Sequence, residues 1–146
     1  MLKFTPKDIT RYGPGKATPE LADYVGVYGT LRQGRGNHVL MDGAELVDTI
    51  RVEGLTMYCG GPRQVPFTVI DESNDTGVVL ELYQPDDLMM RRLDRLEGHP
   101  TWYARTHITL PDGKVVCIYT VLKDDLYERH IKEDGDYFNW RDSHAA

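Results

Sequence analysis

Serine, cysteine and surplus positive charge are all scarce in this sequence of 146 residues. Its two serines are Ser73, inside the polar stretch DESNDTG, and Ser143, near the C-terminal end. Neither lies in G-x-S-x-G, so the usual serine-nucleophile arrangement is excluded. Two cysteines, Cys59 and Cys117, do not make a disulfide framework and show no CxxC spacing. Each sits among β-forming residues and reads as a buried thiol, which fits a reducing compartment. Cys59 is followed by Gly60 and Gly61, and nothing local marks it as an activated nucleophile. With 17 basic against 23 acidic residues the net charge is −6, which argues against a nucleic-acid partner. No apolar run approaches the roughly 20 residues needed to span a bilayer. MLKFTPKDITRYGPGK carries no continuous apolar core of a secretory signal. The expectation is therefore a cytoplasmic protein with no membrane association. The five histidines, His38, His99, His107, His130 and His144, lack metal-ligand spacing, so no metal is expected and each reads as a solvated or hydrogen-bonded residue.

The residues present are ordinary for a single domain, with 40% hydrophobic and 27% charged. Residues 1–23 mix Pro, Gly, Lys and Asp and read as an N-terminal extension. Phe4, Ile9 and Tyr12 would dock it, and a short helix is expected at TPELADY. The domain proper is expected over residues 24–146. YVGVYGT reads as a strand entering a glycine-rich loop. Further strands are expected on either side of Gly54 and in TVIDESNDTGVVLELYQ, with a polar turn between. In the second of these, Val78, Leu80 and Leu82 should face one way and Val79, Glu81 and Tyr83 the other. PDDLMMRRLDRLEGHP is the clearest helix. It has a proline and aspartates at its start, a Met89, Leu93, Leu96 stripe, Gly98 as its stop and Pro100 beyond. THITLPDGKVVCIYTV reads as a hairpin around a Pro-Asp-Gly turn. In the tail, a short helix is expected, then a segment pinned by Tyr137, Phe138 and Trp140. Five or six strands with one strong helix predict an α+β fold, a small mixed β-barrel or curled sheet with flanking helices.

The glycine loop GTLRQGRG has the glycine spacing of a phosphate-binding P-loop at Gly29 and Gly34. Arg35 and Gly36 stand where that motif needs Lys and Ser/Thr, and G-x-G-x-x-G is missing, so nucleotide binding is disfavoured. Carboxylates are left as the candidates for chemistry. Glu97 falls in the last helical turn, directly before Gly98. A negative charge there opposes the helix dipole, which raises the carboxyl pKa and suits acid–base work. By position alone a solvated helix-end acid is the plainer reading. Glu81, on a strand, reads as a barrel-lining hydrogen-bond partner.

Tyr28-Gly29-Thr30-Leu31, Arg32, Gly34 and Asn37-His38 are followed by Gly77 to Tyr83. Leu93 to Gly98 come next, as LDRLEG, with Tyr103 and Arg105 behind them. In this order and spacing the set resembles the γ-glutamylcyclotransferase-like family, in particular its AIG2-like, γ-glutamylamine cyclotransferase branch. The likeness covers about residues 24–121, with a weaker match at GDYFNWR. It implies a compact barrel with flanking helices and one pocket, and no cofactor. It implies a small-molecule γ-glutamyl substrate, whose α-amine attacks its own γ-carbonyl to give 5-oxo-L-proline and a free amine. By this resemblance Glu97 is the general acid and base. Tyr28, Gly29, Thr30, Leu31 and Tyr103 bind substrate, the turn at Gly29 offering backbone N–H groups to the α-carboxylate. Arg63 and Gln64 depart from the family's aromatic loop, which bears on the leaving group rather than on ring closure. A catalytically inactive member that binds a metabolite or a protein partner is the alternative, since a fold can outlive its chemistry.

Overall fold

The computed structural model describes residues 9–28, 41, 43–60, 65–70, 77–100, 103–121 and 130–131. Nine strands and one helix lie among them: β1 (Ile9–Tyr12), β2 (Tyr24–Val27), β3 (Leu46–Val52), β4 (Leu55–Gly60), β5 (Val65–Ile70), β6 (Val78–Tyr83), α1 (Asp87–Glu97), β7 (Tyr103–Thr109), β8 (Val115–Val121) and β9 (His130–Ile131). Six strands form one sheet in the order β1-β7-β8-β2-β6-β3, and three form a second in the order β5-β4-β9. β2 runs parallel to β8 and every other pairing is antiparallel, so the larger sheet is mixed. The fold is α+β, and its barrel-like wall consists of these two sheets rather than one continuous hydrogen-bonded ring.

Side-chain alternation explains why the large sheet is covered on both faces. Val78, Leu80 and Leu82 of β6 join Val116 and Ile118 of β8, Leu55 and Met57 of β4 and Tyr28 in one core. Tyr83, Cys117 and Tyr119 point the other way and pack with Val25, Val27, Met89, Met90 and Leu93 under α1. The split in β6 is the one that period-2 alternation predicts. Gly26 faces the first core, where a Cβ would come within 3.1 Å of Ile118 and Val116. Glycine here lets β2 lie close beneath its neighbours. Glu53 and Gly54, the latter at φ 90°, carry the chain from β3 in one sheet to β4 in the other.

The local signals at α1 and the hairpin behave as expected. Asp86 caps the helix by accepting the Met89 N–H at 2.8 Å, and Asp87 lies in the favoured first turn. Gly98 ends it in the left-handed region at φ 67°. The β7–β8 turn closes through Gly113 N–H to the Leu110 carbonyl at 2.9 Å, with Gly113 at φ 85°.

Two expectations are corrected. TPELADY is not helical: residues 18–22 carry no regular structure and Tyr24 already begins β2. So short a segment gains little from helix formation, and Asp23 instead accepts the Val115 N–H at 2.8 Å, tying the segment to β8. Leu96 does not complete the buried stripe. It is 42% exposed, and Met90 takes its place beside Met89 and Leu93. Ile9 and Tyr12 do dock the first residues, as parts of β1, which pairs with β7 in the register Ile9 to Ile108 and Tyr12 to Arg105. Phe4, the stretch 71–76 and the tail around Tyr137, Phe138 and Trp140 lie outside the described residues.

Candidate active site

Glu97 owes its setting to the azimuth of the helix. At roughly 100° per residue, Met89, Met90 and Leu93 define a face, and Glu97 lies about 30° from its centre. Leu96 falls about 70° away on the opposite side, which is why the leucine is exposed and the carboxylate turns inward. Glu97 is only partly exposed. Burial pushes its pKa from 4.5 up to about 7. The direction is the expected one, but desolvation of the charged form supplies it rather than the helix dipole. A carboxyl with that value exchanges a proton readily near neutral pH.

Tyr28 follows β2 directly and is buried, its hydroxyl donating to the Tyr119 carbonyl at 3.0 Å. Its pKa is raised well above 10, first by burial and then by the charges of Tyr103 and Glu97. That coupling sets the end of β2, the start of β7 and the end of α1 around one locus. Glu97 and Tyr103, two of the sequence-predicted site residues, thus lie within electrostatic reach of a third, Tyr28. Gly29, Thr30 and Leu31, with the supporting loop from Arg32 to His38, lie outside the described residues, as do Arg63 and Gln64.

The fully buried Thr68 of β5 lies beside Tyr28, where its hydroxyl works to lower the tyrosine's pKa. That polar contact falls short of hydrogen-bond geometry, and among the described residues the Thr68 Oγ1 has no partner at bonding distance and angle. Glu81 is buried and accepts a hydrogen bond from the Tyr83 hydroxyl at 2.8 Å, the hydrogen-bonding role expected of it. It shares the β6 face of Tyr83, opposite the one turned toward the second sheet. Cys117 is a free, buried thiol, its pKa raised to about 12 mainly by burial. No group of three His, Cys, Asp or Glu side chains among the described residues could hold a metal ion. A surface groove between Tyr12, Leu21, Asp23, His107 and Val115 contains none of Glu97, Tyr28 or Tyr103.

The structure adds a cluster to which the sequence motifs assign no role. Arg105 of β7 grips Asp94 of α1 with two charge-assisted bonds, Nε to Oδ1 at 2.8 Å and Nη2 to Oδ2 at 2.7 Å. The Tyr119 hydroxyl donates to the same Oδ1 at 2.6 Å. Asp94 and Arg105 appear in the motifs LDRLEG and YAR, but no spacing rule pairs a helix residue with a strand residue across an intervening connection.

Residues 25–141 match the family described as gamma-glutamyl cyclotransferase, AIG2-like. A provisionally named gamma-glutamylcyclotransferase of Methanocaldococcus jannaschii is 30% identical over 123 residues, covering 82% of this chain and 98% of that one. The gamma-glutamylaminecyclotransferase of Bos taurus is 35% identical over 122 residues, covering 76% of this chain and 73% of its own. The crystal structure of an AIG2-like protein from Mus musculus superposes with a TM-score of 0.59 at 25% identity, covering 75% of this chain and 86% of that one.

Proposed function

This chain belongs to the AIG2-like gamma-glutamyl cyclotransferase family and is an enzyme of that family, and from that premise we propose that it releases 5-oxo-L-proline and a free amine from a γ-glutamyl-amine or related γ-glutamyl compound, with Glu97 as general acid and base. The observation that carries this reading is the carboxyl of Glu97, its pKa raised by burial to about 7, within electrostatic reach of Tyr28. The substrate's α-ammonium must first lose a proton, which the Glu97 carboxylate accepts. The freed nitrogen pair attacks the γ-carbonyl carbon, and a five-membered ring closes as the carbonyl electrons move onto oxygen. When the carbonyl reforms, the bond to the leaving nitrogen breaks, Glu97 returns its proton to that nitrogen, and the ring nitrogen sheds its second proton to solvent to become the lactam N–H. One carboxyl thus serves twice, and no protein nucleophile is required.

Tyr28 stays protonated throughout the working range, because its pKa is raised. Its hydroxyl hydrogen is engaged by the Tyr119 carbonyl, so its part is to wall the site rather than to move protons. Gly29, Thr30 and Leu31 would hold the α-carboxylate. Keeping the flexible glutamyl chain in a ring-closing shape contributes much of the rate gain in reactions of this kind.

The test is incubation with a panel of γ-glutamyl-amines, γ-glutamyl dipeptides and glutathione, reading 5-oxoproline by mass spectrometry. Turnover of at least one panel member is expected, with a fall of about a thousandfold in kcat for Glu97→Gln. Wild-type rates in that variant would refute the role given to Glu97. A folded wild-type protein that turns over no panel member would favour the metabolite-binding alternative.

A further inference from the structure

The last turn of α1 is held from the sheet at three points, and two of them are made by one residue. Arg105 binds the Asp94 carboxylate through its guanidinium, at 2.8 and 2.7 Å, and donates its backbone N–H to His99 Nδ1 at 3.1 Å. Asp94 lies three residues before Glu97 and His99 two residues after, so Arg105 brackets the carboxylate. Asp94 also ties the turn to itself, since its carbonyl accepts the Gly98 N–H and the His99 N–H, the latter at 2.9 Å. Tyr119 of β8 adds a third strut to Asp94 Oδ1 at 2.6 Å and reaches the Met90 carbonyl at 3.4 Å.

This network is more than the helix needs to stay docked. Met89, Met90 and Leu93 already bury its apolar face, Asp86 caps its start and Gly98 stops its end. A largely buried ion pair is also a poor source of stability, because desolvating two charges offsets their attraction. What the pair does supply is fixed geometry, since a guanidinium fork and a carboxylate meet in one plane. It is placed where a helix otherwise frays.

Resting on the reading of Glu97 given above, we propose that Arg105, Asp94 and Tyr119 are positioning residues that lock the end of α1 and keep the Glu97 carboxyl turned inward and shielded from water. Burial is what raises the Glu97 pKa at that helix end. Burial works against the charge of Asp94, but the hydrogen bonds from Arg105 and Tyr119 and the Arg105 charge outweigh it and hold its pKa below the ordinary value. Burial likewise opposes the Arg105 charge, and Asp94 overcomes it, so the guanidinium stays charged. His99 is lowered, first by burial. Tyr119 is raised, first by burial and then by its bond to Asp94. Tyr28, at the end of β2, is raised as well. Arg95, in the last turn, faces solvent.

The experiment follows the Glu97 carboxyl directly, by carbon-13 NMR titration of the 146-residue chain, with Glu97→Gln assigning the signal. In Asp94→Asn the bidentate grip is lost and Arg105 is left uncompensated near a loosened helix end. Both changes favour the ionised form, so the Glu97 midpoint should fall by about half a pH unit or more. The lost Asp94 charge lowers that midpoint by itself, so the deciding variant is Tyr119→Phe, which removes one hydroxyl and no charge. A role confined to stability would lower its melting temperature and leave its Glu97 midpoint in place. The Glu97 midpoint of Tyr119→Phe should instead fall, and its kcat should drop about fivefold or more with KM little changed, because a misdirected carboxyl slows proton transfer without weakening binding. An unchanged midpoint in folded Tyr119→Phe overturns the proposal. The NMR readout is independent of turnover, so an inactive wild-type protein would count against the proposed reaction while the midpoint still decides the positioning role.

Discussion

Replacing Glu97 by Gln should stabilise the protein while lowering kcat about a thousandfold, and the gain should depend on pH. The carboxyl ionises at about 7 in the folded chain against 4.5 when solvated. Between these values the unfolded chain binds fewer protons than the folded one, so wild-type stability falls as pH rises through that window. The difference is about 2.5 units, and at about 1.4 kcal/mol per unit the penalty above pH 7 is about 3 kcal/mol. Below 4.5 both states are protonated and the penalty vanishes. Gln has no proton to lose, so the variant should match the wild type at acid pH and exceed it by about 3 kcal/mol at pH 8, or about 10 °C in melting temperature for a chain of this size. A solvated acid at a helix C-terminus would give a much smaller gain, at most about 1 kcal/mol, from relief of the dipole alone. Urea denaturation of both proteins at pH 4.5, 6 and 8 separates these cases. Asp94, held below the ordinary carboxylate range, stays ionised across the window and does not confuse the comparison. A difference that stays under about 1 kcal/mol at pH 8 would show that Glu97 is not desolvated and would remove the physical basis of its role.

Leu93→Ala, at a fully buried position under the sheet, should cost about 2–5 kcal/mol, read as a lower urea midpoint with the slope unchanged; a near-neutral result would mean that α1 does not dock through this face. Thr68→Val removes a buried hydroxyl that has no hydrogen-bond partner among the described residues and should raise stability by about 1 kcal/mol, whereas a clear loss in thermal unfolding would reveal a partner for it. Cys117, buried and with its pKa raised to about 12, should resist alkylation at pH 8 in the native protein and react in denaturant; peptide mass spectrometry checks this, and rapid native labelling would contradict the packing around β8.

Elements whose signals are local are legible in the residues themselves. The capping aspartate, the stop at Gly98 and the Pro-Asp-Gly turn each depend on a handful of adjacent residues, and each forms as the chemistry of those residues requires. The alternation in β6 is equally clear, since period 2 needs only six residues. β1 is not recognisable as a strand. ITRY carries little strand signal of its own and is extended because β7, nearly a hundred residues later, offers an unpaired edge. TPELADY has helix-forming residues, yet its aspartate, Asp23, is claimed by a β8 amide. Leu96 fits an i, i+4, i+7 pattern that the buried face does not follow, because two adjacent methionines turn the helix toward Glu97.

The family is written in the chain itself, through motifs whose order and spacing need no coordinates, and Glu97 stands out by its place before a helix-ending glycine. Which force perturbs that carboxyl is not written there. Its position points to the helix dipole, a weak effect, whereas the folded chain buries the group and raises its pKa to about 7. The grip of Arg105 on Asp94 and His99 likewise exists only in the folded chain. Desolvation and ion pairing depend on distances between elements that only packing sets, and one-dimensional spacing carries no record of those distances.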